Sequence, residues 1–198
     1  REVVFAWNKS STGTWTDYSI IYDGQAHSVT PSVTNAVSGD TVNLTYTGDT
    51  RTNAGNYTAA VSSVSNTNYK LPSILTRSWS INKRVLTTTW YYNNTVTGYN
   101  ALAGATIRYN GNNYTITAVA GNVASGDSVT FTYENNVNRF AGTYTAIATI
   151  DASVNQYNDD NYTFASIYGG IEFKTSQSYT ISPRLITSGD TDWSTTSF

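Results

Sequence analysis

Hydrophobic and polar residues alternate with a period of two along most of this chain. Val42, Leu44 and Tyr46 alternate with threonine and asparagine, and Trp79 and Ile81 alternate with serine. Such alternation is typical of β-strands that bury one face and expose the other to water. No segment carries the i, i+3, i+4, i+7 spacing of an amphipathic helix, and β-branched and aromatic residues dominate. The pattern therefore predicts an all-β fold.

The pattern repeats 87 residues further along the chain. Val129, Phe131 and Tyr133 restate the alternation of the first half. Three motifs recur at the same offset: Tyr22–Gly24 as Tyr109–Gly111, Ser38–Asp40 as Ser125–Asp127, and Ala54–Ala59 as Ala141–Ala146. A constant offset across three landmarks indicates a duplicated structural unit, and each copy has an ordinary domain size.

Glycine-containing turns separate the predicted strands. Asp23-Gly24 and Asn110-Gly111 predict tight type I′ hairpins, because both central residues of that turn need positive φ angles. The Ser-Gly-Asp motifs mark a second turn in each copy. Turns at intervals of about 8 to 12 residues are typical of a β-sandwich.

The copies meet with almost no linker between them. A strand ending near Lys83 is followed at once by one that begins at Arg84, so we predict domains at residues 1–83 and 84–183. Residues 184–198 are predicted to be the start of a third repeat or a C-terminal tail, with a strand at 184–187. A boundary without a Gly/Ser spacer favours a stiff joint and an end-to-end arrangement of the two domains.

Repeat 2 (residues 84–183) carries two insertions that repeat 1 (residues 1–83) lacks. Both fall between Asp151 and Ser178. Loops on a fixed scaffold commonly carry binding functions. We therefore expect this region to be the variable surface of repeat 2 and a place for ligand contact.

The run Asn53–Ala59 resembles the penultimate strand of immunoglobulin domains, in which a tyrosine precedes a cysteine by two residues. Ala59 and Ala146 stand at the cysteine positions. The resemblance implies that Tyr57 and Tyr144 are tyrosine-corner residues, whose hydroxyls bond back to the main chain. Repeat 1 has Tyr-Asp-Gly near its start and Trp-Ser-Ile-Asn-Lys at its close, where repeat 2 has Tyr-Asn-Gly and Tyr-Thr-Ile-Ser-Pro. With these motifs, each copy is similar to the bacterial Ig-like repeats called MBG domains.

The resemblance implies a function as well as a fold. MBG-type repeats occur in arrays in bacterial surface and secreted proteins, commonly adhesins. We therefore expect two tandem Ig-like β-sandwich domains that act as non-catalytic spacers of an adhesin-like protein and present a region that binds a host or environmental ligand, a glycan or a protein. The alternative is a pair of carbohydrate-binding modules, including modules accessory to an extracellular polysaccharide-active enzyme.

Composition excludes several other classes. Charged residues are 12% of the chain and the net charge is −2, which is unlike a nucleic-acid binder. Cysteine is absent, so neither disulfides nor thiolate chemistry are available. Methionine is also absent, so we expect a piece of a longer or processed chain. We predict an extracellular monomer without cofactors and without a segment that inserts into a membrane.

Few residues suggest catalysis. His27 is the only histidine, and we expect it on the surface because no Gly-x-Ser-x-Gly nucleophile motif accompanies it. Glu134 or Glu172 could serve as one of a pair of carboxylates that cleave glycosidic bonds. An isopeptide bond to an asparagine could be formed by Lys9, Lys70, Lys83 or Lys174. The sequence supplies none of them with a partner, so we predict that the chain is not an enzyme.

The sequence offers two further candidate binding sites. Asp159 and Asp160, beside Asn161 and other asparagines of the first insertion, offer the oxygen ligands that calcium prefers, although they lack the EF-hand pattern. Tyr91 and Tyr92 could form a platform for a sugar ring. Because adjacent strand residues face opposite sides, we expect one of these two tyrosines to be exposed.

Overall fold

The computed structural model describes residues 1–94, 98–153 and 158–186. These residues form several β-sheets and one short helical turn, which confirms the prediction of an all-β protein. The elements are β1 (Phe5–Lys9), β2 (Trp15–Thr16), β3 (Ser19–Ile21), β4 (His27–Val33), β5 (Leu44–Thr47), β6 (Thr50–Arg51), β7 (Gly55–Val64), β8 (Thr76–Asn82), β9 (Arg84–Asn94), β10 (Gly98–Ala101), β11 (Ile107–Arg108), β12 (Tyr114–Gly121), β13 (Phe131–Glu134), β14 (Val137–Asn138), β15 (Gly142–Ile150), α1 (Asn158–Asn161), β16 (Tyr162–Phe164) and β17 (Lys174–Ser182).

The counterpart strands of the two repeats form two sheets with the same order, whereas the edge strands β2 and β10 join non-equivalent sheets. In repeat 1 the sheets run β1-β4-β6 and β2-β3-β8-β7-β5. In repeat 2 they run β10-β9-β12-β14, with β16 also on β9, and β11-β17-β15-β13. β3 pairs in parallel with β8, and its counterpart β11 pairs in parallel with β17. The duplication seen in the sequence is therefore a duplication of strand pairing.

The alternation predicts which side chains are buried. Trp79 and Ile81 of β8 are buried, while Ser78 is exposed and Ser80 half-buried, as predicted. In repeat 2 one buried cluster draws on both sheets: Trp90, Leu102, Ile107, Tyr114, Ile116, Ala118, Ala146, Ala148, Tyr179 and Ile181. Two sheets that share one apolar core make a sandwich-like arrangement.

The contacts divide the chain into two compact units. Unit 1 consists of Arg1–Thr87, Asn122–Thr130 and Ile150–Ala165. Unit 2 consists of Thr88–Gly121, Phe131–Thr149 and Ser166–Phe198. The junction of the repeats, where β8 ends at Asn82 and β9 begins at Arg84, therefore lies inside unit 1 together with two segments of repeat 2.

The turns at Asp23-Gly24 and Asn110-Gly111 are not the predicted type I′ hairpins. Gly24 and Gly111 both have a φ of 82°, but Asp23 and Asn110 are not among the residues with positive φ. The strands before and after each turn also belong to different sheets. Instead, the Asp23 carboxylate accepts the N–H of the residue two positions on at 2.9 Å, and the Asn110 side chain does the same at 3.0 Å. Each is an Asx turn that carries the chain from one sheet to the other.

The two tyrosines of the Ig-like motif bond back to the main chain. The Tyr57 hydroxyl donates to the Asn53 carbonyl at 2.6 Å, and the Tyr144 hydroxyl donates to the Phe140 carbonyl at 3.0 Å. Each ring also lies against the aromatic residue paired with it on the next strand. The centroids are 5.1 Å apart for Tyr57 and Trp79 and 5.6 Å apart for Tyr144 and its partner. The start of β7 in repeat 1 and the start of β15 in repeat 2 are thus fixed by the same contacts.

The described residues beyond β17 do not continue as a strand. Arg184, Leu185 and Ile186 are exposed and outside regular structure, so the strand predicted at 184–187 is not formed by them. Residues 187–198 lie outside the described part of the chain. Within the described residues, no helix is long and apolar enough to cross a membrane.

Candidate functional site

Unit 1 contains a carboxylate that accepts hydrogen bonds from two buried tyrosines. The hydroxyls of Tyr22 and Tyr162 donate to Oδ2 of Asp127 at 2.8 and 2.7 Å. The Tyr162 hydroxyl also accepts the Ala124 N–H at 3.0 Å. The two rings meet edge to face at 5.4 Å, and both tyrosines are under 5% exposed. We call Tyr22, Ala124, Asp127 and Tyr162 the Asp127 cluster.

Local turns place the members of the Asp127 cluster. Tyr22 follows β3 and leads into the Asx turn at Asp23-Gly24. This turn lies against the turn that contains Ser125, since a Cβ added to Gly24 would be 3.4 Å from the Ser125 carbonyl oxygen. Asp127 closes that second turn by donating its N–H to the Ala124 carbonyl at 3.1 Å. Tyr162 opens β16, which pairs in parallel with the first residues of β9. The cluster therefore joins residues that the sequence separates by up to 140 positions.

Arg84, the first residue of repeat 2, is bound to both sides of the junction. Its Nε donates to the Asn122 carbonyl at 2.6 Å and its Nη2 to the Asn122 side-chain oxygen at 2.9 Å. Nη1 reaches the Tyr22 carbonyl at 3.3 Å. The Asn122 amide in turn donates to the Val85 carbonyl at 2.7 Å. A guanidinium with several fixed acceptors restricts the main chain at this boundary.

Asn161 adds a third set of contacts between segments of unit 1. Its side chain is 2% exposed, accepts the Ala54 N–H at 2.7 Å and donates to the Asn53 side-chain oxygen at 3.2 Å. Asn161 lies next to Asp160 in the calcium site predicted from the sequence. In the structure its amide is committed to these bonds with the turn before β7.

The environment of the Asp127 cluster disfavours ionised tyrosine. Burial and the hydrogen bond to the Asp127 carboxylate raise the pKa of Tyr22 to about 12. Burial and the same acceptor raise the pKa of Tyr162 further above its usual value. Both shifts have the same causes, since a buried tyrosine ionises at a cost and a second negative charge beside the Asp127 carboxylate is unfavourable. The cluster is intact only while both hydroxyls keep their protons.

We expect unit 1 to lose stability in alkaline solution. The folded-state pKa of Tyr22 exceeds its unfolded value of 10.0, so its contribution is fully present below about pH 10 and is lost as the pH rises toward about 12. Urea unfolding midpoints measured at about pH 8 and about pH 11 will show a larger drop for the native chain than for Tyr22→Phe. Tyr99→Phe, which alters an exposed tyrosine, is the control and should keep the native pH dependence.

His27 is buried, so the prediction of a surface histidine is wrong. The residue is 1% exposed, its Nε2 lies 2.8 Å from the Asp23 carboxylate, and Trp15 meets the ring edge to face at 5.8 Å. Nδ1 has no hydrogen-bond partner among the described residues, so no hydroxyl is held there for activation as a nucleophile. Burial acts against the ionised form of Asp23, but bonds from the Gln25 N–H and from His27 outweigh it and lower the pKa of this carboxyl. The His27–Asp23 pair stabilises the turn.

The acidic residues singled out in the sequence do not gather into a metal site within the described residues. Asp160 is exposed, and the side chain of Asp159 lies outside the described part of the chain. No group of three or more His, Asp or Glu side chains that could hold a metal occurs in the described ranges. Glu134 forms an ion pair with Lys174 at 2.8 Å, and Glu172 is exposed.

Tyr91 and Tyr92 are both half-buried, so the prediction that one of them is exposed is wrong. Tyr92 packs against the core of repeat 2, with its ring 6.2 Å from that of Tyr114. Exposed aromatic rings occur elsewhere in unit 2, at Tyr99, Phe140 and Tyr168.

Comparison with known proteins assigns no family. No family model, no curated protein and no solved structure matches this chain.

Proposed function

We propose that this chain is a pair of non-catalytic Ig-like repeats of the MBG type that serves as a structural spacer in a bacterial cell-surface or secreted adhesin-like protein. The observation that carries the proposal is the junction of the repeats. One residue, Lys83, separates β8 from β9, and the side chain of Arg84 binds main-chain carbonyls on either side. A spacer needs such joints, because flexible linkers would let the presented binding region collapse toward the surface.

The strand order of each repeat supports the Ig-like assignment. Ig domains place strands A, B and E in one sheet and C, F and G in the other. In repeat 1 the sheet β1-β4-β6 fits A-B-E, and the neighbours β5, β7 and β8 fit C-F-G. Tyr57 then lies near the start of strand F, and its bond to the Asn53 carbonyl is that of a tyrosine corner.

Trypsin tests the stiff junction, because it cleaves after lysine and arginine. We expect Lys83 and Arg84 to be cut later than exposed sites such as Lys70, since the Arg84 side chain is hydrogen-bonded within unit 1. Asn122→Gly keeps both cleavage sites and the positive φ of 61° at this position but removes the acceptor side chain, so it should speed cleavage there. Early cleavage of the native junction would contradict the spacer function.

The alternative function, a pair of carbohydrate-binding modules, has its own support. Tyr99, Phe140 and Tyr168 are 69%, 67% and 40% exposed, and aromatic faces are suited to stacking on sugar rings. An array of glycans distinguishes the two functions. A spacer gives no reproducible binding, whereas binding that is lost in Tyr99→Ala or Phe140→Ala would favour the alternative.

A further inference from the structure

Repeat 1 contains a second copy of the carboxylate–tyrosine arrangement. The Tyr69 hydroxyl donates to Asp40 at 2.8 Å and accepts the Val37 N–H at 2.7 Å. These bonds reproduce those of Tyr162 with Asp127 and with the Ala124 N–H. We call Val37, Asp40 and Tyr69 the Asp40 cluster.

The Asp40 cluster lacks a counterpart of Tyr22, the fourth member of the Asp127 cluster. Among the described residues, Asp40 accepts a tyrosine hydroxyl from Tyr69 alone, whereas Asp127 accepts two. Asp40 is exposed and Val37 is 48% exposed, while the counterpart Ala124 is 5% exposed. The position that Tyr22 and its turn fill at the Asp127 cluster is therefore open at the Asp40 cluster.

The main chain beside the Asp40 cluster is also built like that beside the Asp127 cluster. Asn35 donates its side-chain amide to the Glu2 carbonyl at 2.9 Å, as Asn122 donates to the Val85 carbonyl at 2.7 Å. Glu2 bridges in parallel to Lys70, just as β9 pairs in parallel with β16. The receiving surface is thus preformed in repeat 1.

Repeat 2 carries the matching turn. The Tyr109 N–H donates to the Ser182 carbonyl at 2.9 Å, as the Tyr22 N–H donates to the Asn82 carbonyl at 2.9 Å. Gly111 and Gly24 share a φ of 82°, and both turns are closed by an Asx bond. A Cβ on Gly24 would meet Ser125, but a Cβ on Gly111 would meet no atom of the described residues within 4 Å. The turn of repeat 2 thus has the shape of its counterpart, but among the described residues its Gly111 lacks the contact that Gly24 makes.

We propose that the Tyr109–Gly111 turn of one copy of this chain docks on the Asp40 cluster of a second copy. The Tyr109 hydroxyl donates to the Asp40 carboxylate, and Gly111 packs on the turn that contains Ser38, as Gly24 packs on the turn that contains Ser125. The contact is head-to-tail, because the two surfaces belong to different repeats. Such a heterologous contact leaves one free surface at each end of a dimer and adds further copies in the same direction, into an open chain or a closed ring.

Concentration decides how far this contact forms. At the Asp127 cluster the two surfaces belong to one polypeptide, so their effective concentration is high. Two separate copies lack that advantage, so the monomer expected from the sequence is the dilute state and head-to-tail chains form as concentration rises.

Sedimentation velocity over a range of concentrations up to about 1 mM tests the proposal. We expect the weight-average sedimentation coefficient of the native chain to rise with concentration. Asp40→Asn removes the charge of the acceptor and Tyr109→Phe removes the donor, so each should weaken association about tenfold. Tyr99→Phe, an exposed tyrosine of the same repeat as Tyr109, should associate like the native chain.

Mixing the two variants separates a docking defect from a folding defect. The Asp40→Asn copy keeps its turn and the Tyr109→Phe copy keeps its acceptor, so an equimolar mixture should regain contacts of native strength and stop mainly at dimers. A native chain that stays monomeric at the highest concentration overturns the proposal. So does association that both variants leave unchanged, or a mixture that associates no better than either variant alone.

Discussion

Asp127→Ala is expected to lower the free energy of unfolding of unit 1 by about 3 kcal/mol. The substitution removes the acceptor of two hydroxyls, those of Tyr22 and Tyr162, which are 4% and 0% exposed. Each buried donor that loses its partner costs about 1–3 kcal/mol, because water cannot replace the lost acceptor. Urea unfolding followed by intrinsic fluorescence measures the change, provided that the transition of unit 1 is resolved.

The Asp40 cluster supplies a matched control for this experiment. Asp40→Ala removes the acceptor of a single tyrosine, Tyr69, and is expected to cost about half as much, roughly 1.5 kcal/mol. Combining Asp127→Ala with Tyr22→Phe and Tyr162→Phe should recover much of the loss, since no buried hydroxyl then lacks a partner. Equal costs for the two aspartates, or no recovery in the combined variant, would contradict this account of the Asp127 cluster.

The strands could be predicted because their signal is local. Val42, Leu44 and Tyr46 alternate with polar residues, and the structure places all three half-buried between exposed neighbours. Each such residue reports its own face, so no knowledge of distant contacts is needed. The duplication could also be predicted, because three motifs recur at a constant offset of 87 residues.

The turns were harder to predict, because a dipeptide fixes local angles but not the partners of the flanking strands. Asp-Gly suits a hairpin, and it also suits an Asx turn that leads into another sheet. Strands β3 and β4 flank Asp23-Gly24 but pair with different neighbours. Deciding between the two turns needs the long-range pairing of β3 with β8, which the dipeptide does not contain.

Burial of His27 could have been predicted by comparing the repeats. Its counterpart Tyr114 alternates with Ile116 in a strand pattern, and both are buried, at 3% and 0% exposure. His27 likewise alternates with Val29, which is fully buried. The expectation of a surface position rested on the absence of a nucleophile motif and not on this shared alternation.

The Asp127 cluster was missed because its members are distant in sequence and each has an ordinary local role. Asp127 belongs to a turn motif, and Tyr162 resembles any strand tyrosine. A signal does exist, since an aspartate of the Ser-Gly-Asp turn and a tyrosine after asparagine recur together in both repeats, as Asp40 with Tyr69 and Asp127 with Tyr162. The hydrogen bond between them follows only once the parallel pairing at the start of each repeat is known.

Trp79→Ala is expected to be the most destabilising single change in the described residues of β8, at about 4 kcal/mol. Trp79 is 3% exposed and packs against the rings of Tyr57 and Trp15, with centroids 5.1 and 6.1 Å away. Its indole N–H also donates to the Gly48 carbonyl at 3.2 Å. Truncation therefore leaves a cavity beneath two aromatic rings and a carbonyl without its donor. Urea unfolding of unit 1 measures the loss.

Repeat 2 indicates which substitution at this position is tolerated. Tyr179, the counterpart of Trp79, packs on Tyr144 at 5.6 Å, and its hydroxyl lies 3.4 Å from the carbonyl of Asn135, the counterpart of Gly48. Trp79→Tyr keeps an aromatic ring and a donor pointing toward the same carbonyl, so we expect it to cost only about 1 kcal/mol. If Trp79→Tyr destabilises unit 1 as much as Trp79→Ala does, then the two positions are not structurally equivalent and the duplication does not extend to the packing of the core.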